Sequence, residues 1–429
     1  MRVLLTGANG FIGAHLTAAL LEAGHRVVAA VRNPAALAAR FPDIETVAAD
    51  MNRDTTAAAW LPRLKGVDAV INCAGVLQGG RGQDMEAIHH LAPAALFDAC
   101  LQSGVKRVIQ ISAISADAEA GTEYALSKKR GDDHLKALDL DWVILRPSLI
   151  YGEGAYGGTA MLRALAAFPF VTPLIGQGQQ VFRPLHVEDL ARTLLVSLER
   201  PDLARQVLEP VGPKVETVKS IVAHYRAWLG RPAAKMLSLP LGFDRLLCRL
   251  GDLLGRGPIS STALAQMEYG NAGRETGFIE TIGFRPATLA ERLQRRPAQT
   301  QDLWHARLYL LRPLVRAVLV MLWTVSGLLG LATMQSFGLP LLTEAAMPPA
   351  LATVLIVSAS LLDLVIAGML AVNWRPRMTG LLQLGVILVY SVALTWLQPL
   401  FWADPFGVLL KNLPICVLVL VHMILAEER

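Results

Sequence analysis

Two side chains that can act as an acid–base pair stand four positions apart in the sequence YALSK, residues 124–128. In a helix, this spacing places the phenol of Tyr124 and the ammonium of Lys128 on one face, one turn apart. A nearby cation favours loss of the phenol proton, which lets Tyr124 act as an acid or a base near neutral pH. The pair therefore predicts proton transfer to or from a bound substrate.

A glycine-rich turn near the N-terminus is the second feature with chemical meaning. The sequence TGANGFIG occupies residues 6–13, directly after an apolar, β-rich run and at the start of a helical pattern. One glycine permits the tight turn, another lets backbone N–H groups approach a pyrophosphate, and Gly13 allows close packing of helix and strand. The alternative is a turn that only reverses the chain. We predict dinucleotide binding through Thr6, Gly7, Asn9, Gly10, Phe11, Ile12 and Gly13.

The end of the second apolar run, VVAAVR at residues 27–32, bears on the choice of cofactor. An acid at this point would hydrogen-bond the ribose 2′-hydroxyl of NAD, whereas an arginine accommodates the 2′-phosphate of NADP. The run contains no acid and ends in Arg32. The sequence thus favours NADP(H) over NAD. The other interpretation of Arg32 is a solvated surface arginine.

Short apolar runs alternate with helical patterns over the first third of the chain, and these elements must hold the groups above in place. The alternation is typical of βαβ units and predicts an α/β fold with a doubly wound parallel sheet. After Pro147 the rhythm changes, and residues 150–180 and 205–295 are predicted to form a small substrate lobe within a domain spanning 1–295. The polar segment 296–306 is predicted to be a linker. The predicted strands lie at 2–6, 26–31, 67–72, 107–112 and 141–146.

The last third of the chain is strongly apolar. Hydrophobic residues make up 53% of the 429 residues and charged ones 17%, and the mean hydropathy is +0.42, which is too apolar for an ordinary soluble protein. Four apolar segments within 307–429 are each about long enough to cross a bilayer as a helix. We predict an all-α, four-helix transmembrane bundle, rather than the buried helices of a soluble core. The predicted spans are 313–334, 350–372, 378–397 and 407–426.

The distribution of arginine around these segments predicts their orientation. Basic residues precede the first span and lie between the second and third, whereas the loops 335–349 and 398–406 contain no Lys or Arg. By the positive-inside rule, both termini face the cytoplasm and the protein lies in the cytoplasmic (inner) membrane. The N-terminus begins directly with a strand pattern and shows no features of a signal peptide, which agrees with that orientation.

Charge and cysteine content exclude several other classes. The net charge of +5 is not concentrated in a basic block or stripe, so we expect no nucleic-acid partner. The four cysteines lie far apart and form no CxxC pair, which is typical of buried thiols in a reducing compartment. We predict no metal site.

Over about residues 1–290, these motifs resemble the short-chain dehydrogenase/reductase superfamily, whose extended and atypical members carry TGxxGxxG and YxxxK. The resemblance implies that Tyr124 and Lys128 are the catalytic pair, and that Lys128 also binds the nicotinamide ribose. It implies that Asp50 contacts the adenine. The segment 72–75, with Asn72, Ala74 and Gly75, resembles the family's NAG segment beside the cofactor.

The family usually adds a serine or threonine at the end of the fifth strand, where it orients the substrate carbonyl. Here the alignment of RVIQISAIS, residues 107–115, leaves either Ser112 or Ala113 at that point. Ser112 is the predicted third catalytic residue. If Ala113 occupies the position, either Ser112 or Ser115 substitutes, or the enzyme does without this group.

The likeness extends to atypical members related to the NADPH-binding accessory subunit of respiratory complex I, which implies tight NADP(H) binding. It is supported by RPSLIYG at residues 146–152, similar to the family's RPxxxYG segment on the substrate side. The segment HVEDLA, 186–191, is similar to another family motif, whose acid is typical of a helix N-terminus.

The membrane part resembles the DoxX-like family of four-helix proteins. The residues that carry this likeness are LWTVSGL at 322–328, SLLD at 360–363 and FWADPFG at 401–407. Ionisable groups in lipid are costly and tend to face a partner or a cavity. One hypothesis is that Asp363, Gln383 and His422 form a single polar cluster on the side facing the reductase. The alternative is interhelical hydrogen bonding that only holds the bundle together.

Taken together, the sequence predicts a membrane-tethered, NADP(H)-dependent oxidoreductase acting on a lipophilic carbonyl or a quinone. One alternative is a non-catalytic NADPH-binding membrane protein that senses redox state or supports assembly of a complex. A nucleotide-sugar epimerase or dehydratase is the other. The expected partners are the dinucleotide, a small lipophilic substrate, the lipid bilayer and a second copy of the chain in a homodimer.

Overall fold

The computed structural model describes residues 1–80, 82–154, 157–239, 260–273 and 277–427, together with positions 242, 248, 249 and 251. The chain forms two compact units, Met1–Ala306 and Arg307–Arg429. The first unit contains all the described strands, whereas the second is helical. The predicted change of fold class along the chain is confirmed.

A seven-stranded parallel sheet forms the centre of the first unit. Its order is β3-β2-β1-β4-β5-β6-β11. The strands β2 and β3 therefore lie on one side of β1 and the later strands on the other, as in a doubly wound fold. The predicted parallel sheet is confirmed. Its strands are β1 (Arg2–Thr6), β2 (Arg26–Val31), β3 (Glu45–Ala48), β4 (Ala69–Asn72), β5 (Arg107–Ile111), β6 (Asp141–Leu145) and β11 (Gln206–Leu208).

The strand β11 corrects the predicted boundary of the substrate lobe. Residues 206–208 were expected in the lobe, but they pair in parallel with β6, from Gln206 opposite Val143 to Leu208 opposite Leu145. Leu208 is buried in the same core cluster as Val143 and Leu145. The strand β11 is therefore the last strand of the main sheet. The residues of the lobe precede and follow β11 in the sequence.

Helices cover both faces of the sheet, since alternate side chains of each strand need a partner layer. On one face, Leu16 of α1 and Leu194 of α7 pack against Val3 and Ile109. On the other face, Trp60, Phe97 and Leu135 pack against Leu4. The helices of this domain are α1 (Phe11–Glu22), α2 (Pro34–Ala38), α3 (Ala57–Trp60), α4 (Ala92–Ser103), α5 (Glu123–Ala137) and α7 (Val187–Glu199), with 3₁₀ turns at Leu61–Leu64 and Pro201–Leu203 and a π-helical turn at Ala87–Leu91.

The smaller lobe has its own core, in which Tyr225, Leu162 and Leu289 are buried. Its strands are β7 (Ile150–Tyr151), β8 (Val171–Ile175), β9 (Val181–Phe182), β10 (Leu185–His186), β12 (Glu216–Thr217) and β13 (Lys235–Leu239), paired as β7 with β10, β8 with β13 and β9 with β12. Its helices are α6 (Gly157–Ala166), α8 (Val218–Trp228), α9 (Ser261–Tyr269), α10 (Phe278–Ile282) and α11 (Leu289–Arg295). Phe278 and Ile282 of α10 pack in the main-sheet core instead.

The predicted linker is only partly irregular. Helix α12 (Thr300–Ala332) begins inside the segment 296–306 and continues through Pro313. Leu303 and Ala306 pack in the lobe core. The segment is therefore anchored to the first unit by its apolar side chains.

Among the residues that the structure describes, three helices are long and apolar enough to cross a membrane: α12, α14 (Pro349–Ala371) and α15 (Pro376–Leu397). The fourth predicted span, 407–426, is shorter than expected, because α16 begins at Asn412 and ends at Leu425. Residues 408–411 form turns, and Pro414 lies in the first helical turn, where its missing N–H is tolerated. The remaining elements are a π-helical turn (Met334–Gly338), α13 (Leu339–Glu344) and a 3₁₀ turn (Pro399–Trp402).

Two polar contacts join the long helices of the second unit. Asp363 accepts hydrogen bonds from the hydroxyls of Ser326 at 2.6 Å and Tyr390 at 3.0 Å. Gln383 accepts one from the indole N–H of Trp323 at 2.9 Å. The hypothesis of one cluster is not supported: Asp363 and Gln383 have different partners, and Nδ1 of the buried His422 has none among the described residues. These contacts link α12 to α14 and α15.

Candidate nucleotide-binding and catalytic site

A hydrogen-bonded row of side chains runs along the carboxyl ends of β1, β4 and β5. The hydroxyl of Thr6 donates to Asn72, and it accepts from the N–H groups of Cys73 and Ala74 at 3.2 and 3.3 Å. The amide of Asn72 donates to Gln110 at 2.7 Å. All three side chains are buried, so this row fixes the edge at which ligands of doubly wound sheets bind. Thr6 and Asn72, each predicted to bind the cofactor, are thus brought together.

The glycine turn closes tightly over this edge. Gly7 has φ +70°, and a Cβ on it would lie 2.7 Å from the carbonyl oxygen of Cys73. A Cβ on Gly13 would lie 2.0 Å from the carbonyl oxygen of Gly7. Gly10 precedes α1 and has no side chain to cap it, and an uncapped helix N-terminus of this kind is a common anion site. The turn has the shape that a diphosphate site needs.

The remaining turn residues have different surroundings. Asn9 is exposed, whereas Ile12 packs against the main core. The ring of Phe11 lies against the lobe, where a Cβ on Gly152 would be 3.1 Å from its Cζ atom. Phe11 and Ile12 therefore anchor α1 through their side chains.

Asp50 and Arg32 lie beyond the ends of neighbouring strands β3 and β2. The carboxylate of Asp50 accepts two hydrogen bonds of 3.1 Å from Asn52 and lies 3.7 Å from Arg53. Burial raises the pKa of Asp50, but these hydrogen bonds and the charges of Arg32 and Arg53 outweigh it and leave the pKa lowered. An open cleft of about 340 Å³ lies beside Asp50 and is lined by Asn52, Arg53, Gly80, Gly82, Gln83 and Asp84.

Tyr124 and Lys128 lie on α5, which begins where the hydroxyl of Thr122 accepts from the N–H of Ala125 at 3.2 Å. Lys128 is buried and its ammonium donates to the carbonyl of Ile111 at 3.1 Å. A Cβ on Gly75 would lie 3.1 Å from the same nitrogen. Lys128 and the segment after β4 are thus brought together at the predicted cofactor position.

The ionisation of Tyr124 differs from the sequence-based expectation. Burial and the negative charge of Asp132 raise the pKa of Tyr124 to about 12. The ammonium of Lys128 donates to the carbonyl of Ile111, and burial lowers the pKa of Lys128. The phenol is therefore protonated at neutral pH, and without a bound ligand it is a proton donor rather than a base.

Ser112 is held away from the role that the sequence predicts for it. Its hydroxyl donates to the buried carboxylate of Asp132 at 2.8 Å. The same oxygen of Asp132 accepts two bonds from Arg146, at 2.8 and 2.9 Å. Ser112 thus ties β5 to α5 and β6. Ala113 follows it half-buried, and Ser115 is buried.

His89 is a site residue that the sequence analysis missed. It lies in the π-helical turn Ala87–Leu91, and its Nε2 accepts from the N–H of Val76 at 3.0 Å. Its Nδ1 therefore carries the proton and donates to the hydroxyl of Ser127 at 2.9 Å, which in turn donates to the carbonyl of Tyr124. The His89 ring also meets the Tyr124 ring edge-on, with centroids 5.4 Å apart. His89 therefore positions the phenol of Tyr124 through Ser127 and through the contact between the two rings.

A close backbone contact between α5 and the π-helical turn holds His89 in this position. A Cβ on Gly131 of α5 would lie 2.2 Å from the carbonyl oxygen of His89, so α5 and the π-helical turn are in backbone contact. A single histidine before a helical pattern gives no signal of such a contact. The two adjacent histidines in AIHHLAP were the only hint in the sequence.

The pH dependence of stability tests the placement of His89. Burial and the charge of Lys128 lower the pKa of His89 from 6.5 to about 2. Below pH 6.5 the unfolded chain therefore binds a proton that the folded protein excludes, and the free energy of unfolding falls by up to ~1.4 kcal/mol per pH unit. We expect His89→Gln to lose this component. Thermal unfolding of the full chain at about pH 7 and about pH 5 measures it.

His90→Gln is the matched control, because the His90 imidazole is half-buried and pairs with Glu86 at 2.7 Å. An acid-induced loss of stability that is as steep in His89→Gln as in the wild type would show that His89 is not held neutral.

The sheet order, the glycine turn before α1 and the lysine beside the turn after β4 define a dinucleotide-binding Rossmann domain. Residues 7–167 match the family described as NAD(P)H-binding, and residues 320–420 match the DoxX-like family. The chain therefore joins an NAD(P)-binding Rossmann domain to a DoxX-like domain, which with its three apolar helices marks a membrane protein.

Two curated relatives each match about half of this chain. A ceramide reductase of Caulobacter vibrioides is 31% identical over 49% of this chain and 64% of its own length. The mitochondrial subunit 9 of the NADH dehydrogenase 1 alpha subcomplex from Dictyostelium discoideum is 27% identical over 49% of this chain and 59% of its own length. The matches thus span less than two thirds of either relative.

A solved structure supports the fold alone. The UDP-glucose 4-epimerase of Thermotoga maritima superposes with a TM-score of 0.53 at 16% identity, covering 72% of this chain and all of that one. At this identity, the likeness extends to the Rossmann fold and its lobe, and not to the reaction.

Proposed function

We propose that this chain is an NADP(H)-dependent reductase that converts a lipophilic carbonyl compound to the alcohol. The observation that carries the proposal is the protonated phenol of Tyr124, one helical turn from the cofactor-side ammonium of Lys128. Reduction of a carbonyl adds a hydride to carbon and a proton to oxygen. Tyr124 supplies the proton, and the nicotinamide, when bound, supplies the hydride.

The residues present fit the nicotinamide dinucleotide. Backbone N–H groups of the turn 7–13 and the start of α1 would hold the diphosphate. Gly75 and Lys128 would face the nicotinamide ribose, and Asp50 the adenine. The site therefore offers each part of the cofactor a partner of suitable chemistry.

The lipophilic substrate is supported by two observations. The chain carries its own membrane helices, which keep the domain near lipids. One relative is named a ceramide reductase, and ceramide is a lipid. We propose that the substrate is an oxidised lipid bearing a ketone or aldehyde, with quinones as the second class. We assign residues 1–295 to the reductase and 307–429 to the membrane domain, with both termini on the cytoplasmic side of the inner membrane.

Arg32 is the proposed determinant of NADP(H) preference. Arg32→Asp is expected to weaken NADPH binding at least about tenfold and to leave or improve NADH binding, because a charge-assisted hydrogen bond contributes roughly 1.5–3 kcal/mol. Calorimetric titration of both nucleotides measures the change. Arg53→Asp is the control, since Arg53 is exposed beside Asp50 but does not end β2. Equal losses for NADPH and NADH in Arg32→Asp would contradict the assignment.

A non-catalytic NADPH-binding role is the second candidate. It is favoured by the hydrogen bond from Ser112 to Asp132, which occupies the hydroxyl that a carbonyl substrate would use. The likeness to a respiratory complex I subunit points the same way.

One experiment separates the two candidates. The purified full chain in detergent is assayed for bound nucleotide, and NADPH oxidation is followed with oxidised lipids, aldehydes, quinones and nucleotide sugars. Turnover that depends on an oxidised lipid or a quinone supports the reductase. Tight binding of NADPH without turnover on the whole panel would overturn it in favour of the binding protein.

A further inference from the structure

An exposed aromatic tip projects from the substrate lobe between α6 and β8. Its sequence is Phe168-Pro169-Phe170, and Phe170 is 87% exposed, the highest value among the described large hydrophobic side chains of the first unit. Phe168 is 36% exposed. Leu237, on the neighbouring strand β13, is 48% exposed. A single exposed apolar residue needs no explanation, but a cluster rich in aromatic rings marks a contact surface.

The tip is held in place rather than loose. The guanidinium of Arg226, which is 3% exposed, donates to the carbonyls of Ala166 and Phe168 at 2.9 and 2.8 Å. It also donates to the carbonyl of Pro232 at 2.6 Å. A buried arginine at the end of α8 therefore fixes the backbone beneath Phe170, so its exposure is built into the lobe.

The charged side chains on the segments that carry the tip are basic. Arg231 donates to the carbonyl of Pro169, and the exposed Lys235 pairs with Val171, the residue after the tip. Neither of the two described stretches that build this surface, 157–187 and 217–239, contains any Asp or Glu. Aromatic side chains with flanking cations and no acid match a bilayer interface with anionic headgroups.

The first apolar helix, α12, begins near the same end of the lobe as the aromatic tip. The indole N–H of Trp228, at the end of α8, donates to the carbonyl of Arg296 at 2.6 Å. Leu303, in the first turn of α12, packs in the same cluster as Trp228 and Met236 of β13. The start of the first apolar helix and the aromatic tip are therefore attached to the same end of α8.

We propose that Phe168, Phe170 and Leu237, with Arg231 and Lys235, form a surface that inserts into the interface of the bilayer that the chain spans. The occupant is lipid with anionic headgroups. Contact at this point would hold the substrate lobe against the membrane in addition to the tether. This inference goes beyond the proposed reaction and holds whether or not the protein turns over.

The test places the photoreactive residue p-benzoylphenylalanine at Phe170 in the full chain, reconstituted in nanodiscs of phosphatidylcholine and phosphatidylglycerol. After illumination, mass spectrometry of the chain is expected to find lipid adducts at this position. The matched control carries the same residue at Val207, which is 39% exposed on the edge strand β11. We expect the control to give little lipid adduct.

Lipid composition and charge provide the second arm. Nanodiscs of phosphatidylcholine alone, or Arg231→Gln with Lys235→Gln, are expected to lower the adduct yield at Phe170 about fivefold or more, since each basic residue near an anionic surface favours binding by about that factor. Adducts only to a second copy of the chain, or a lipid yield equal to that at Val207, would overturn the proposal.

Discussion

Replacing Tyr124 with phenylalanine is expected to lower the turnover of NADPH with an oxidised lipid by roughly 10²–10⁴-fold, the usual contribution of a general acid. The phenol is the protonated group beside Lys128, and its pKa of about 12 keeps it protonated throughout the neutral range. Its removal takes away the proton for the alkoxide and leaves the nucleotide turn untouched. The affinity for NADPH should therefore remain as in the wild type, as calorimetry on the same preparation will measure.

Tyr269→Phe provides the matched control for this variant. Tyr269 ends α9 and lies near Asp117 and Glu119, whose negative charges, after burial, raise its pKa. It is thus a second tyrosine with a raised pKa near the loop between β5 and α5, but on a different helix from Lys128. We expect its removal to change turnover by less than about tenfold. Comparable losses in the two variants would show that Tyr124 has no special role.

Substituting Gly13 with alanine is expected to weaken NADPH binding by roughly 10²-fold or more. The new methyl group would lie 2.0 Å from the carbonyl oxygen of Gly7, and this oxygen belongs to the backbone, so it cannot move without a change in the turn. The turn must open, and the loss of even two charge-assisted hydrogen bonds to the diphosphate, at roughly 1.5–3 kcal/mol each, accounts for this factor. Calorimetric titration of the full chain with NADPH measures the effect.

The control for Gly13→Ala is Gly158→Ala, because a Cβ at Gly158 would meet nothing within 4 Å. Thermal unfolding of both variants separates a local change from loss of the fold. An unchanged affinity in a folded Gly13→Ala protein would mean that the dinucleotide does not bind at this turn.

Local patterns explain why much of this site could be predicted. The glycine turn is a contiguous segment, and the positions of Tyr124 and Lys128 on one face follow from helical spacing alone. The parallel sheet follows from its apolar runs, since strands buried on both faces need them. These features depend on neighbours in the sequence, which a single chain displays directly.

The features that were missed depend on distant residues. Ser112 is bound by Asp132, which Arg146 of the following strand holds in place. The raised pKa of Tyr124 also depends on Asp132, because it reflects burial and the negative charge of that carboxylate. His89 acts through Ser127 and the π-helical turn. Spacing within one segment carries no information on such contacts.

The membrane part shows a different limit. Hydropathy located the apolar segments, but it did not show where the last helix begins, because residues 408–410 are as apolar as the helix that follows. Similarly, the position of a polar residue along an apolar helix did not reveal its hydrogen-bond partner. Asp363 bonds with Ser326 and Tyr390, whereas Gln383 bonds with Trp323.

The most direct test of the proposed function follows the hydride itself. The full chain in lipid nanodiscs is given NADPH with deuterium at both C4 positions, together with a long-chain keto-lipid, and the lipid is examined by mass spectrometry. We predict deuterium on the carbinol carbon of the product with the wild-type chain and none with Tyr124→Phe. A chain that binds NADPH through its glycine turn, but transfers no deuterium to any lipid carbonyl and oxidises no NADPH with a quinone, would contradict the reductase.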